Sequence, residues 1–121
     1  MKKQILIGAV MLLTSINTFA QEFTLVTTVE SVVPGGFGRS RMITTTSDGK
    51  LEETPMENFF SLVGINFENI RNNDQSITNK IAAMTKEGWV LTNTISGVYS
   101  ADNRTGIFIT RYLFKRETPK Q

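Results

Sequence analysis

Residues 76–116, SITNKIAAMTKEGWVLTNTISGVYSADNRTGIFITRYLFKR, decide the fold of this chain. Apolar residues recur at helical spacing up to Met84, and Gly88 stands where a left-handed C-terminal cap would end a helix. The apolar run that begins at Trp89 has the composition of a strand. The stretch therefore predicts a short amphipathic helix that delivers the chain directly into a sheet. We expect Trp89 to pack into the seam between helix and sheet rather than to stack on a ligand.

Two strands, 89–98 and 107–115, flank a polar loop at 99–106 and predict an antiparallel hairpin. Aromatic and aliphatic residues alternate along the second strand, so both of its faces are substantially apolar. We expect one face to pack on the helix. The other face is expected to be covered by residues 51–73 or to form an interface between copies of the chain.

The first twenty residues predict a secretory signal peptide. The chain has a basic start at Lys2 and Lys3, an apolar stretch at 5–13, and small residues at the −3 and −1 positions of a cleavage site that ends at Ala20. The apolar stretch is shorter than the roughly 20 residues that span a bilayer, so a membrane anchor is the less favoured alternative. We expect a secreted or periplasmic protein with no membrane span in the mature chain.

The charge balance changes once the signal is removed. The chain holds 13 basic and 11 acidic residues, and residues 1–20 contain two lysines and no acidic residue. The mature chain therefore carries 11 of each, and the basic pI of 9.1 belongs to the signal. No nucleic-acid partner is predicted, because such a partner requires a concentrated basic face. The length predicts one domain at 21–116, followed by a disordered tail at 117–121.

The sequence contains no cysteine and no histidine. These absences exclude disulfides, zinc–thiolate sites, histidine metal sites and nucleophiles activated by histidine. An exported domain without disulfides suits a bacterial periplasm better than a eukaryotic secretory route. The enzyme chemistry that remains would use a pair of carboxylates. The acidic residues fit solvated positions near helix starts better than catalytic positions. We therefore predict neither a catalytic residue nor a cofactor. The carboxylate candidates by residue type are Glu52, Glu53, Glu57, Glu68 and Asp74.

The first half of the mature chain predicts two strands, 23–29 and 41–46, because both stretches are rich in β-branched residues. Residues 54–57, TPME, have the form of a capping box with proline at the first helical position, and they predict a short helix at 55–63. The alternative is a strand through 60–67.

Residues 72–74, NND, predict a break before the main helix, because these side chains compete for backbone hydrogen bonds. The alternative is a single longer helix that starts near Phe67.

Residues 35–41, GGFGRSR, form the most motif-like loop of the chain. An arginine stands where a dinucleotide fingerprint requires its third glycine, so the loop favours a turn between strands over an anion site. A second group of basic residues lies on the last predicted strand, near its end. Charges at a sheet edge more often discourage edge-to-edge pairing than bind a ligand. The candidate residues for binding a partner or an anion are Arg39, Arg41, Arg111, Lys115 and Arg116.

The segments EGWVL at 87–91 and RYLFKR at 111–116 resemble a family of small bacterial domains of unknown function. The pattern of that family is a helix, then "eGWEL", then a hairpin that ends in "RyiFKR". Val90 stands where the family usually has glutamate, which argues against a catalytic carboxylate there. The resemblance implies a β-α-β-β core with an antiparallel sheet, elaborated by residues 31–73, and it implies no established activity.

These patterns together predict an α+β domain with a small antiparallel sheet of three to four strands and one main helix packed on it. The predicted function is that of an exported, non-catalytic binding or self-association module, in the bacterial periplasm or outside the cell, with a homo-oligomer as the expected assembly. The alternative is a carboxylate-dependent enzyme, or an enzyme accessory, that acts on an envelope polymer. The sequence does not identify a ligand.

Overall fold

The computed structural model of the chain describes residues 19–34, 39–100 and 105–119. Within this part, five antiparallel strands form one sheet in the order β3-β2-β1-β7-β6, and two short strands form a separate hairpin, β4-β5. The elements in chain order are β1 Phe19–Val32, β2 Ser40–Thr46, β3 Leu51–Met56, β4 Phe60–Ser61, β5 Gly64–Ile65, α1 Phe67–Lys86, β6 Val90–Ser100 and β7 Gly106–Pro119.

The predicted sheet of three to four strands is wrong, because the sheet has five strands and the described chain is mostly β. The additional strand is β3, which replaces the first part of the helix predicted at 55–63. Pro55 explains the error, since proline suits the first turn of a helix and also an edge strand, where its missing N–H removes no ladder hydrogen bond. The alternative strand through 60–67 is replaced by the β4-β5 hairpin, which turns at residues 62–63. Gly64, the first residue after this turn, has a φ of 119°.

The helix α1 runs unbroken over Phe67–Lys86, so the break predicted at 72–74 is wrong and the longer helix is observed. Asn66 caps its start, and its side chain accepts hydrogen bonds from two backbone N–H groups of the first turn. At the other end, Gly88 has a φ of 90°, and the N–H of Trp89 donates to the carbonyl oxygen of Met84 at 3.0 Å. This arrangement confirms the predicted glycine C-cap, in the form of a Schellman motif.

The core lies between α1 and one face of the large sheet, which we call the helix face. Along β1 the residues at 24, 26, 28 and 30 are buried, whereas their odd-numbered neighbours at 25, 27 and 29 are half-buried. Trp89 is 8% exposed, so it packs into the helix–sheet seam as predicted. The buried hydrophobic residues are Val26, Met42, Met84, Trp89 and Phe114, with Met56, Ile77, Ile81 and Tyr112 packed against them.

The predicted C-terminal hairpin is confirmed, and its second strand is longer than expected. Strand β7 pairs with β1 from Gly106 to Pro119, so the first three residues of the predicted disordered tail, 117–119, belong to the sheet. Most of the predicted signal peptide, 1–18, lies outside the described residues. Because β1 begins at Phe19, cleavage after Ala20 would leave a strand that begins at Gln21.

Candidate functional site

The structure separates the five basic residues that the sequence grouped as candidates. Arg41, Arg111 and Lys115 lie on the face of the sheet opposite α1, which we call the open face. Arg116 lies on the helix face, and Arg39 is exposed just before β2. The strand β7 lies between β1 and β6, so the edge-protecting role predicted for its charges is wrong.

Arg116 connects the end of α1 to the sheet through its side-chain contacts. Its guanidinium carbon lies 4.3 Å from the centroid of the Trp89 ring, within the range of a cation–π contact. Its Nη2 donates to Glu22 Oε2 at 2.7 Å, and its Nη1 donates to the carbonyl oxygen of Glu87 at 3.2 Å. These contacts fix the guanidinium at the rim of a cleft beside the tryptophan.

The acidic candidates are dispersed. Glu52 and Glu53 are consecutive on β3, so they face opposite sides of the sheet, and they form ion pairs with Lys80 and Arg41 respectively. The other three carboxylates, at 57, 68 and 74, are exposed. In the described ranges, no group of three or more acidic residues is placed to hold a metal ion. In the same ranges, no helix has both the length and the apolar character needed to cross a bilayer.

A buried polar cluster joins α1 to the end of β1. Asn73 is 1% exposed, and its Oδ1 accepts the backbone N–H of Glu57 at 2.8 Å. Its Nδ2 donates to the carbonyl oxygen of Glu57 at 2.8 Å and to Glu30 Oε1 at 3.2 Å. Burial raises the pKa of Glu30 above its ordinary value, the hydrogen bond from Asn73 opposes this shift, and the nearby charge of Asp74 adds to it.

The open face carries an apolar centre between its cationic residues. Its central side chains are half-buried rather than covered, which is the pattern of a sheet face without a packed layer. Residues 51–73 do not cover it as predicted, because Leu51–Met56 joins the sheet as β3 and Asn73 belongs to the helix on the opposite face. The apolar residues at its centre are Leu25, Val29, Ile43, Ile109 and Leu113.

The two edges of the large sheet differ in their protection against pairing with another strand. The β3 edge contains Glu52, Glu53 and Pro55, the residue types that natural sheets use to block edge-to-edge contact. The β6 edge contains no charged residue and no proline, and every residue over Val90–Ser100 is exposed. The large hydrophobic residues exposed along β6 are Val90, Leu91, Ile95, Val98 and Tyr99.

A bulge between Leu91 and Asn93 limits the regular part of the β6 edge. There the hydroxyl of Thr92 donates to the carbonyl oxygen of Leu113 at 3.1 Å, and a bulge of this kind twists the strand away from flat pairing. The regular edge therefore runs over 93–100. Beside it lies a groove of about 290 Å³, bordered by Ile95, Gly97, Tyr99, Ile109 and Arg111 among others.

We compared the chain with protein-family models, with curated proteins and with solved structures. None of the three comparisons finds a match. The resemblance at 87–91 and 111–116 therefore stays a prediction, and the candidate site depends on its geometry alone.

The sequence analysis did not identify the β6 edge, although one signal for it was present. Residues 90–100 form the longest stretch of strand composition in the mature chain without a charge or a proline. That signal has meaning only when the strand is known to lie at an edge, and the strand order depends on pairing between distant parts of the chain.

Proposed function

We propose that this protein is an exported, non-catalytic module whose copies associate through the free edge of β6. Two five-stranded sheets then continue into one antiparallel sheet of ten strands. The observation that carries this proposal is the contrast between the protected β3 edge and the long, uncharged, proline-free β6 edge. Pairing gives hydrogen-bond partners to the outward N–H and C=O groups of the strand. Export is supported by the signal-peptide pattern of residues 1–20.

A two-fold axis is the usual symmetry of such a pair, and we place it at Gly97. This register brings Ile95 of one copy opposite the partner's Tyr99 on the open face, since directly opposite residues of an antiparallel pair share a face. A β-branched residue opposite an aromatic residue is a favourable cross-strand pair, worth about 0.2–1 kcal/mol. The open faces of both copies lie on the same side of the extended sheet, where they form one continuous apolar and cationic surface.

The carboxylate-dependent alternative gains no support from the described residues. Glu52 and Glu53 are engaged in ion pairs, and the remaining candidates are exposed on other elements. A glycosidase pair needs two carboxyl groups that flank a substrate in one cleft, one of them with a raised pKa. Among the described residues, Glu30 is the carboxyl group whose pKa is raised, and it is buried under α1 against Asn73.

Oxidative cross-linking of single-cysteine variants tests this proposal, because the natural sequence contains no cysteine. Residues directly opposite each other in an antiparallel pair have Cα atoms about 4.5–5.5 Å apart, within the roughly 4.4–6.8 Å that a disulfide spans. A Cβ at Gly97 meets no atom within 4 Å, so a Gly97→Cys variant is tolerated. We expect this variant to form a covalent dimer under mild oxidation.

The matched control is Thr54→Cys, at an exposed position on the β3 edge. We expect it to form no covalent dimer under the same oxidation. Equal cross-linking of both variants, or none of the Gly97→Cys variant, contradicts association through β6.

A further inference from the structure

A cleft lies on the helix face, between the C-terminal half of α1 and the hairpin that joins β2 to β3. It consists of two adjoining hollows of about 320 Å³ and about 310 Å³, which share Thr46, Trp89 and Arg116 as lining residues. The first hollow opens toward the β2–β3 turn at Asp48, and the second extends under the helix to Met84. Each volume falls at the lower end of the roughly 300–1,000 Å³ of small-molecule sites.

The floor of this cleft is polar where a helix-covered sheet face is normally apolar. Thr24 is 1% exposed, and its hydroxyl has no hydrogen-bond partner within the described ranges. Thr44, on the neighbouring strand, is 8% exposed, and Thr46 lies directly opposite Thr24. Burying a hydroxyl without a partner costs free energy. The unpartnered hydroxyl on the cleft floor therefore marks a position where a ligand group can supply the missing hydrogen bond.

The rim of the cleft carries three ion pairs. Lys80 Nζ lies 3.3 Å from Glu52 Oε2, Arg116 Nη2 lies 2.7 Å from Glu22 Oε2, and a more exposed pair joins the lysine and aspartate of the β2–β3 turn at 3.5 Å. The side chains of Lys80 and Arg116 are only 20% and 32% exposed, so both are held in place.

This pairing decides which ligand chemistry the rim accepts. Because each of the three cations already has a carboxylate partner, an anionic ligand would have to compete with these carboxylates. A neutral hydroxyl compound does not compete, since hydroxyl groups donate to spare carboxylate lone pairs and accept from spare ammonium or guanidinium N–H groups.

We propose that this cleft binds a small neutral polyhydroxyl compound, such as a single sugar ring, with the Thr24 hydroxyl as the buried partner and the rim ion pairs as the outer partners. The cleft shares no residue with the regular β6 edge at 93–100, so this binding is independent of the proposed self-association.

The test is a fluorescence titration of the full chain. Trp89 is the single tryptophan of the protein and lines both hollows, so its emission reports on the cleft. The probes are methyl α-D-glucoside, N-acetyl-D-glucosamine and myo-inositol, with inorganic phosphate and glycine as charged comparisons. We expect a saturable change with at least one neutral probe at a dissociation constant of about 1 mM or lower, and none with phosphate or glycine. The same probe is expected to shift the backbone amide resonances of Thr24 and Thr46.

The variant Thr24→Val removes the buried hydroxyl and keeps the shape of the side chain. We expect it to bind the probe about tenfold more weakly or worse. The matched control, Thr27→Val, changes the same residue type on the other face of the same strand, and we expect it to keep the natural affinity. Three results overturn the proposal: no saturable change with any neutral probe, saturation by phosphate or glycine, or equal probe affinity in Thr24→Val and the natural protein. The amide shifts of the natural protein decide the question if the variant does not fold.

Discussion

Replacing Asn73 with alanine is expected to destabilise the protein more than its position on a helix suggests. The side chain is 1% exposed and makes three hydrogen bonds, two to the backbone of Glu57 and one to Glu30. At about 1 kcal/mol of net free energy for each bond, the loss amounts to about 3 kcal/mol. A loss of this size lowers the melting temperature of a domain of about 100 residues by about 10–20 °C.

The assay is urea unfolding at one fixed protein concentration, followed by the fluorescence of Trp89, because the proposed association would make stability depend on concentration. The matched control is Asn72→Ala, which makes the same change at the adjacent helical position, where the side chain is exposed. Both variants gain the same helix propensity of about 0.6 kcal/mol or less, so the difference between them isolates the buried bonds. Free energies of unfolding that agree within about 0.5 kcal/mol for Asn73→Ala and Asn72→Ala would refute the reasoning.

Three further changes test the core and the buried polar groups. The variant Trp89→Ala is expected to lose about 3–5 kcal/mol in urea unfolding followed by circular dichroism, and a loss below about 1 kcal/mol would show that the side chain is not part of the core. The variant Glu30→Gln tests the raised pKa of this carboxyl group. Since the folded state holds the proton more tightly than the unfolded state, stability falls as the pH rises from the ordinary pKa of glutamic acid through the raised pKa of Glu30. We expect Glu30→Gln to lack this component and to be more stable at neutral pH, and identical pH profiles of stability would contradict it. The variant Thr24→Val is expected to raise the free energy of unfolding by about 1–2 kcal/mol without ligand, and a decrease would show that the hydroxyl is satisfied in the folded protein.

The parts of the fold that local sequence determines were predictable. Gly88 followed by an apolar residue is sufficient to end a helix, and the Schellman motif confirms that interpretation. The C-terminal hairpin was also predictable, because alternation over 107–115 is a strand signal on either side of a polar loop.

The parts that depend on distant contacts were not predictable. Pro55 fits a helix start and an edge strand equally well, and only pairing with β2 decides between them. Asn73 is a local helix breaker by type, but the backbone of Glu57 satisfies its amide in the fold. The separation of Lys115 from Arg116 is different, because it needs no distant contact: side chains alternate along β7, so these two consecutive residues lie on opposite faces.

The central claim is association through β6, and the solution mass across a concentration series measures it most directly. We expect light scattering of the natural chain to give twice the mass of one chain at high concentration. The variant Ile95→Lys places a charge on the β6 edge, where the natural side chain is 65% exposed, and we expect it to give the mass of one chain. The control Leu51→Lys makes the corresponding change on the β3 edge, where the side chain is 63% exposed, and we expect it to keep the doubled mass. A single-chain mass for the natural protein at every concentration, or a doubled mass that survives Ile95→Lys, would contradict the claim.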